Sequence, residues 1–228
     1  MLGRARSLAL EVADIGAAGS FYGETLQLQE HSQGDTERVF RAGDCSLALR
    51  SVGSLPRGGA HVHYAFAVPP EEYDEWYDLL SAEQDVEERT FGDARSLYCY
   101  DPAGHCVELG ERGEGTGITG VFEIVLEVTD LDAATERYRA LGFSLLDRGD
   151  DRRRVRLTTG ELDLELWEPQ YGIANARGGD HVDFAVEADD PETVAASVDG
   201  DQWRRTGGST DGIRLGDWDG HTIELLPA

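Results

Sequence analysis

The stretch His63-Tyr64-Ala65-Phe66-Ala67-Val68, followed by Pro69-Pro70 and then by Tyr73, Trp76, Leu79 and Leu80 at helical spacing, decides how this chain folds. It reads as a strand entering an amphipathic helix. Three other segments share the pattern: Ser7 to Val12, Glu123 to Val128 and His181 to Val186. Their first residues, with His63, lie 56, 60 and 58 positions apart, a regularity that marks internal repetition. The period of two sends Leu8, Leu10 and Val12, or Ile124, Leu126 and Val128, to one face of the strand, leaving the other face for a different use.

Each opening strand is followed by a helical pattern and then by short strands and tight turns. Asp132 to Leu141 forms a second clear helix that stops at Gly142, and the turns are marked by Asp101-Pro102-Ala103-Gly104 and Asp217-Trp218-Asp219-Gly220. Glycine-rich joints run from Gly53 to Gly59, Gly110 to Gly120 and Gly172 to Gly179. The expected fold is α+β: four tandem βαβββ modules forming two curved mixed sheets with helices outside. The middle joint divides the chain into residues 1–112 (modules one and two) and 119–228 (modules three and four).

The 228 residues carry 45 acidic and 20 basic side chains, a formal charge of -25, and every basic residue is arginine. Such a surface repels nucleic acid and anionic membranes. At molar salt the Debye length falls to about 3 Å, which screens the repulsion among so many carboxylates. Acid excess without lysine therefore points to a halophilic protein of a salt-rich cytoplasm. No apolar run approaches the length of a membrane span, and nothing after Met1 to Arg6 reads as a signal core. Cys45, Cys99 and Cys106 are odd in number and lack CxxC spacing, which argues against a disulfide framework or a thiolate zinc site; Cys99 and Cys106, flanking a turn in strand-like surroundings, are expected as buried small hydrophobes.

His63 to Val68, Ser96-Leu97-Tyr98 and Asp101-Pro102-Ala103-Gly104-His105-Cys106-Val107-Glu108-Leu109 resemble the metal-binding second unit of the vicinal oxygen chelate superfamily, which contains glyoxalases, bleomycin-resistance proteins and extradiol dioxygenases. Leu141-Gly142-Phe143, preceded by Val128-Thr129-Asp130-Leu131 and a helix, resembles the opening unit of many members, and Asp219-Gly220-His221-Thr222-Ile223-Glu224-Leu225 repeats the closing motif. The resemblance implies metal ligands at the start of each first strand and a carboxylate in each last strand. In the second half these positions match Glu123, Glu165, His181 and Glu224; in the first half they match Ser7, about Ala48, His63 and Glu108. Pairing of units three and four would give the metal set Glu123, Glu165, His181 and Glu224. Pairing of two and three would instead join His63 and Glu108 to Glu123 and Glu165. His61, on the same face as His63, is expected at an exposed strand end, although it could replace a missing ligand.

One imidazole among carboxylates suits a hard or borderline divalent cation, Mn, Zn, Ni, Mg or Fe, which would also relieve the repulsion among the acids. The resemblance to glyoxalase I implies that Glu165 or Glu224 serves as the catalytic base. Arg154 and Arg156, on one strand face, are candidates either to neutralise the acids or to hold an anionic substrate, and Tyr98 joins them as a substrate-binding candidate. The expected activity is metal-dependent proton transfer or isomerisation on a small molecule with adjacent oxygens. The alternatives are an extradiol dioxygenase-like enzyme and a metal-free binding protein of the bleomycin-resistance type. Expected partners are a small-molecule substrate, with no nucleic acid or membrane, in a monomer or homodimer.

Overall fold

The structure, a computed structural model, describes residues 1–52, 61–149, 153–169, 182–198 and 200–228. Unit one runs β1 (Leu2–Val12), α1 (Ile15–Ser20), β2 (Gln29–Gln33), β3 (Glu37–Ala42), β4 (Cys45–Ser51). Unit two runs β5 (Val62–Val68), α2 (Tyr73–Glu83), β6 (Glu87–Phe91), β7 (Ala94–Tyr100), β8 (Cys106–Glu111). Unit three runs β9 (Gly120–Glu127), α3 (Leu131–Leu141), β10 (Ser144–Arg148), β11 (Arg154–Thr158), β12 (Asp163–Trp167). Unit four runs β13 (Asp183–Ala188), α4 (Pro191–Ser197), β14 (Arg204–Gly207), β15 (Ile213–Gly216), β16 (Thr222–Pro227).

The local chemistry repeats with the units. Asp14, Asp130 and Asp190 each sit in extended backbone before a helix and accept hydrogen bonds from its first free N–H groups. Gly142 ends α3 with φ of 116°, a conformation that a residue with a Cβ resists. In the turn after β7, Asp101 Oδ1 accepts from the N–H groups of Ala103 and His105; in the turn after β15, Asp217 Oδ1 accepts from Asp219 and His221.

The strands form two eight-stranded sheets, ordered β10-β11-β12-β9-β5-β8-β7-β6 and β14-β15-β16-β13-β1-β4-β3-β2. Unit two therefore pairs with unit three, and unit four with unit one, each through antiparallel first strands. Each sheet takes strands from both sides of the 113–119 joint. Buried hydrogen bonds tie the units the other way round: the Tyr22 hydroxyl of unit one donates to Asp101 Oδ2 of unit two at 2.8 Å, and Tyr138 of unit three to Asp217 Oδ2 of unit four at 3.0 Å. The apolar strand faces and the helices share one contiguous core that includes Leu8, Tyr64, Phe66, Ile124, Tyr138 and Leu225. Cys99 and Cys106 are free and buried, as expected of small hydrophobes, and so is Cys45. Among the described residues no helix is long and apolar enough to cross a membrane.

Candidate metal centre

Strand register builds the centre of the sheet made by units two and three. Across β8, β5 and β9, Glu108 pairs with Ala65 and Ala65 with Glu123, so the two carboxylates flank a side chain small enough to leave room between them. His63 lies two residues along β5, opposite Cys106 on one side and Val125 on the other, and Val125 in turn pairs with Glu165 of β12. A register shift in β9 gives the strand one extra residue near Phe122, and Phe122 and Glu123 both line the cavity.

His63, Glu108 and Glu123 can each offer a ligand atom, all within 4.8 Å of one another, and each residue is no more than 4% exposed. His63 Nε2 lies 3.0 Å from Glu108 Oε2. Burial opposes a charged His63, but its bond to Glu108 and the surrounding carboxylates outweigh burial and raise its pKa. Burial likewise works against an ionised Glu108, and the His63 partnership overcomes it, lowering the pKa. Glu123 goes the other way: burial, then Glu165 and Glu108, push it up to about 8 despite Arg156 and His63 nearby.

Glu165 Oε1 accepts from Arg154 Nη1 at 3.0 Å and Oε2 from the indole Nε1 of Trp167 at 2.7 Å. Arg156 forks across the site, with Nη2 on Glu123 Oε2 and Nε 3.1 Å from Glu165 Oε1. Tyr98 stands beside Glu108, its ring centroid 5.8 Å from that of His63; burial and the Glu108 charge raise its pKa. The cavity above these groups has a volume of about 270 Å³ and is lined by Arg95, Arg112, Arg154 and Arg156 as well as by the acids. Arg112 covers the Phe122 ring at 4.6 Å, and that ring packs over Gly110, where a Cβ would come within 2.6 Å of it.

Of the two ligand sets that the sequence left open, the sheet pairing brings together the one from units two and three. Glu224 lies in the other sheet, where its oxygens accept from the N–H of Ser209 and from Arg214 Nη2 at 3.0 Å, contacts that hold its pKa down against burial. His181 lies outside the described residues. In unit four the parallel register pairs Asp183 with Thr222 and Ala185 with Glu224. The same relation links His63 to Cys106 and Ala65 to Glu108, so Asp183 stands at the position of His63. Asp183 is engaged by Thr222 Oγ1 and by Arg50 at 3.2 Å, and with Ser7, Arg214 and Glu224 it lines a space of only about 30 Å³.

His61 corrects another expectation. It is 2% exposed rather than open at a strand end, and its ring stacks on Trp167 with centroids 5.1 Å apart. Sequence reasoning also passed over Trp167, Phe122 and Arg112. Trp167 was readable as Glu165 plus two on the same strand face; Phe122 was not, because a register shift breaks the period of two.

One imidazole and two buried carboxylates with converging donors match what a borderline or hard divalent cation requires, and the residues present fit such an ion. Two curved sheets assembled from βαβββ units around such a cluster define a vicinal oxygen chelate architecture. The model of the Glyoxalase/Bleomycin resistance protein/Dioxygenase superfamily matches residues 4–109. Metallothiol transferase FosB of Staphylococcus saprophyticus is 30% identical over 105 residues, 43% of this chain and 70% of that protein. FosB of Staphylococcus epidermidis is 27% identical over 109 residues, 45% of this chain and 78% of that protein. Among solved structures, glyoxalase I from Zea mays superposes with a TM-score of 0.70 at 19% identity, over 98% of this chain and 92% of that one. A candidate dioxygenase from Bacillus subtilis gives 0.74 at 15% identity, over 99% and 85%. The chain belongs to the glyoxalase/bleomycin resistance/dioxygenase superfamily.

Proposed function

We propose that the cleft between units two and three is a metal-dependent active site catalysing glyoxalase-like proton transfer or isomerisation on a small molecule with adjacent oxygens. The observation that carries this reading is the buried convergence of His63, Glu108 and Glu123 beside a cavity of substrate size. His63, Glu108 and Glu123 would hold the cation, with Glu165 the fourth candidate. A bound divalent ion would supply Lewis-acid polarisation of the substrate oxygens.

The remaining chemistry belongs to the chain. Without a cation, burial and the neighbouring carboxylates push Glu123 up to about 8, so Glu123 would release a proton on binding a divalent ion and serve it as a carboxylate ligand. Glu165, held beside Glu123 by Arg156 and by the Trp167 indole, is the carboxyl proposed for the proton exchange with substrate. Tyr98 would orient the substrate from the unit-two side. Arg154 keeps Glu165 in place through Nη1 while its other nitrogen holds Asp147. Glu224, in the other sheet, has no part in this exchange. The cluster offers one imidazole where non-haem Fe(II) oxygenases use two, so the donor set does not favour ring cleavage.

The test is stoichiometric metal analysis of the purified protein, followed by deuterium exchange at the carbon beside the carbonyl of small α-hydroxycarbonyl compounds, read by NMR. One ion per chain and metal-dependent exchange are expected. A chain that takes up no Mn, Zn, Ni, Mg or Fe would overturn the reading. A second reading, a metal-free binding protein, is favoured by Arg156, whose guanidinium already occupies an oxygen of Glu123 and of Glu165. In that case ligand-induced thermal stabilisation would be insensitive to chelator. We also propose a salt-rich cytoplasm, a monomer or homodimer, and glyoxalase-like domains at 1–112 and 119–228, a division supported by the Tyr22–Asp101 and Tyr138–Asp217 bonds within each half.

A further inference from the structure

The two clefts place an arginine at the same point of the pattern and use it differently. Arg214 of β15 pairs in register with Glu224, and Arg156 of β11 pairs in register with Glu165. Arg214 bonds to its register partner at 3.0 Å in a space of about 30 Å³, where Arg50 also occupies Asp183. That cleft is filled by its own ion pairs. Arg156 instead reaches past Glu165 to Glu123, beside an open cavity of about 270 Å³.

The carboxylate that Arg156 engages is one of the three groups able to ligate a cation. The Oε2 atom of Glu123 holds a guanidinium nitrogen, so full use of that carboxylate by a metal competes with the arginine. A dication placed among His63, Glu108 and Glu123 would also repel the guanidinium. Arg156 is about one-third exposed on its side chain, so it has a route into the cavity rather than into the core. Arg112 and Arg95 already line that space, so four of the chain's 20 basic residues face one cavity of a molecule with net charge -25.

We propose that Arg156 is a resident hydrogen-bond partner that the metal displaces from Glu123, and that the freed guanidinium then binds an anionic group of the substrate. Metal loading and anion binding are thereby coupled through one side chain, and each tightens the other. The ligand class is a small oxyanion, the group that a freed guanidinium meets best. This rests on the metal-dependent reading of the cleft given above.

Mn²⁺ affinity, measured by the EPR signal of the free ion at fixed salt, separates the two ideas. Arg156→Gln should bind Mn²⁺ about tenfold more tightly than the parent, whereas Arg214→Gln, with the same loss of charge, should bind it unchanged. With Mn²⁺ saturating, Arg156→Gln should bind methylphosphonate about tenfold more weakly. Opposite changes for metal and anion in one variant cannot come from a damaged fold, which would weaken both. Unchanged or weaker Mn²⁺ binding in Arg156→Gln, an equal gain in Arg214→Gln, or undiminished anion binding would overturn the proposal. Parent protein that binds no Mn²⁺ or other divalent ion would overturn the metal-dependent reading itself. Should Arg156→Gln fail to fold, the parent gives the answer directly: the Arg156 Nε–H resonance, assigned by its absence in Arg156→Lys, must shift when Zn²⁺ is added. A resonance that stays in place refutes displacement.

Discussion

Glu123→Gln separates what this carboxyl costs the fold from what it gives the site. In the folded chain it titrates at about 8 against an ordinary 4.5, because it is buried beside Glu165 and Glu108. The folded state therefore holds this proton more firmly than the unfolded chain does. The stability from this group is complete below about pH 4.5 and is lost as pH rises towards 8. At 1.36 kcal/mol per pH unit, the full loss above pH 8 is about 5 kcal/mol. Relaxation around the ionised carboxylate reduces that to about 2–5 kcal/mol at this position. For a chain of this length about 1 kcal/mol moves Tm by roughly 2–4 °C. In chelator, Glu123→Gln should melt close to the parent at pH 5 and about 5–15 °C higher at pH 9. Added Mn²⁺ should stabilise the parent and leave the variant nearly unmoved, since only a state that binds ligand gains from it. Circular dichroism melts at pH 5, 7 and 9 in fixed salt are the assay. A Tm offset that is the same at every pH, or a variant less stable at pH 9, refutes the reasoning.

Gly43 has φ of 60°, and a Cβ there would lie 1.8 Å from the Thr119 carbonyl oxygen, a backbone atom; Gly43→Ala should cost about 3 kcal/mol or more and show as a large fall in Tm. Tyr138→Phe removes the hydroxyl that donates to buried Asp217 and should cost about 1–3 kcal/mol by urea denaturation, with Mn²⁺ affinity unchanged because the bond lies away from the cleft. Raising NaCl from 0.1 to 2 M should raise Tm by screening the charge of -25, and a chain indifferent to salt would contradict the halophilic reading.

The sequence by itself determined the unit. Spacing of the opening strands, helix stops such as Gly142, and the Asp101 and Asp217 turns are all local chemistry, and local chemistry repeats visibly along a chain. It also supplied His63, Glu108, Glu123 and Glu165 as donors. What it left open was partnership: two ligand sets were readable, the first Glu123, Glu165, His181 and Glu224 and the second with His63 and Glu108, because the pairing of units depends on which first strands meet edge to edge. That is settled by contacts between residues far apart, β5 with β9 and β1 with β13. Register also put Asp183, through its pairing with Thr222, at the unit-four position equivalent to His63, which no count along the chain could fix; His181 lies outside the described residues. The fate of the arginines was equally out of reach. Arg156 and Arg214 look alike along the chain, and only the tertiary structure leaves one beside an open cavity and closes the other into ion pairs.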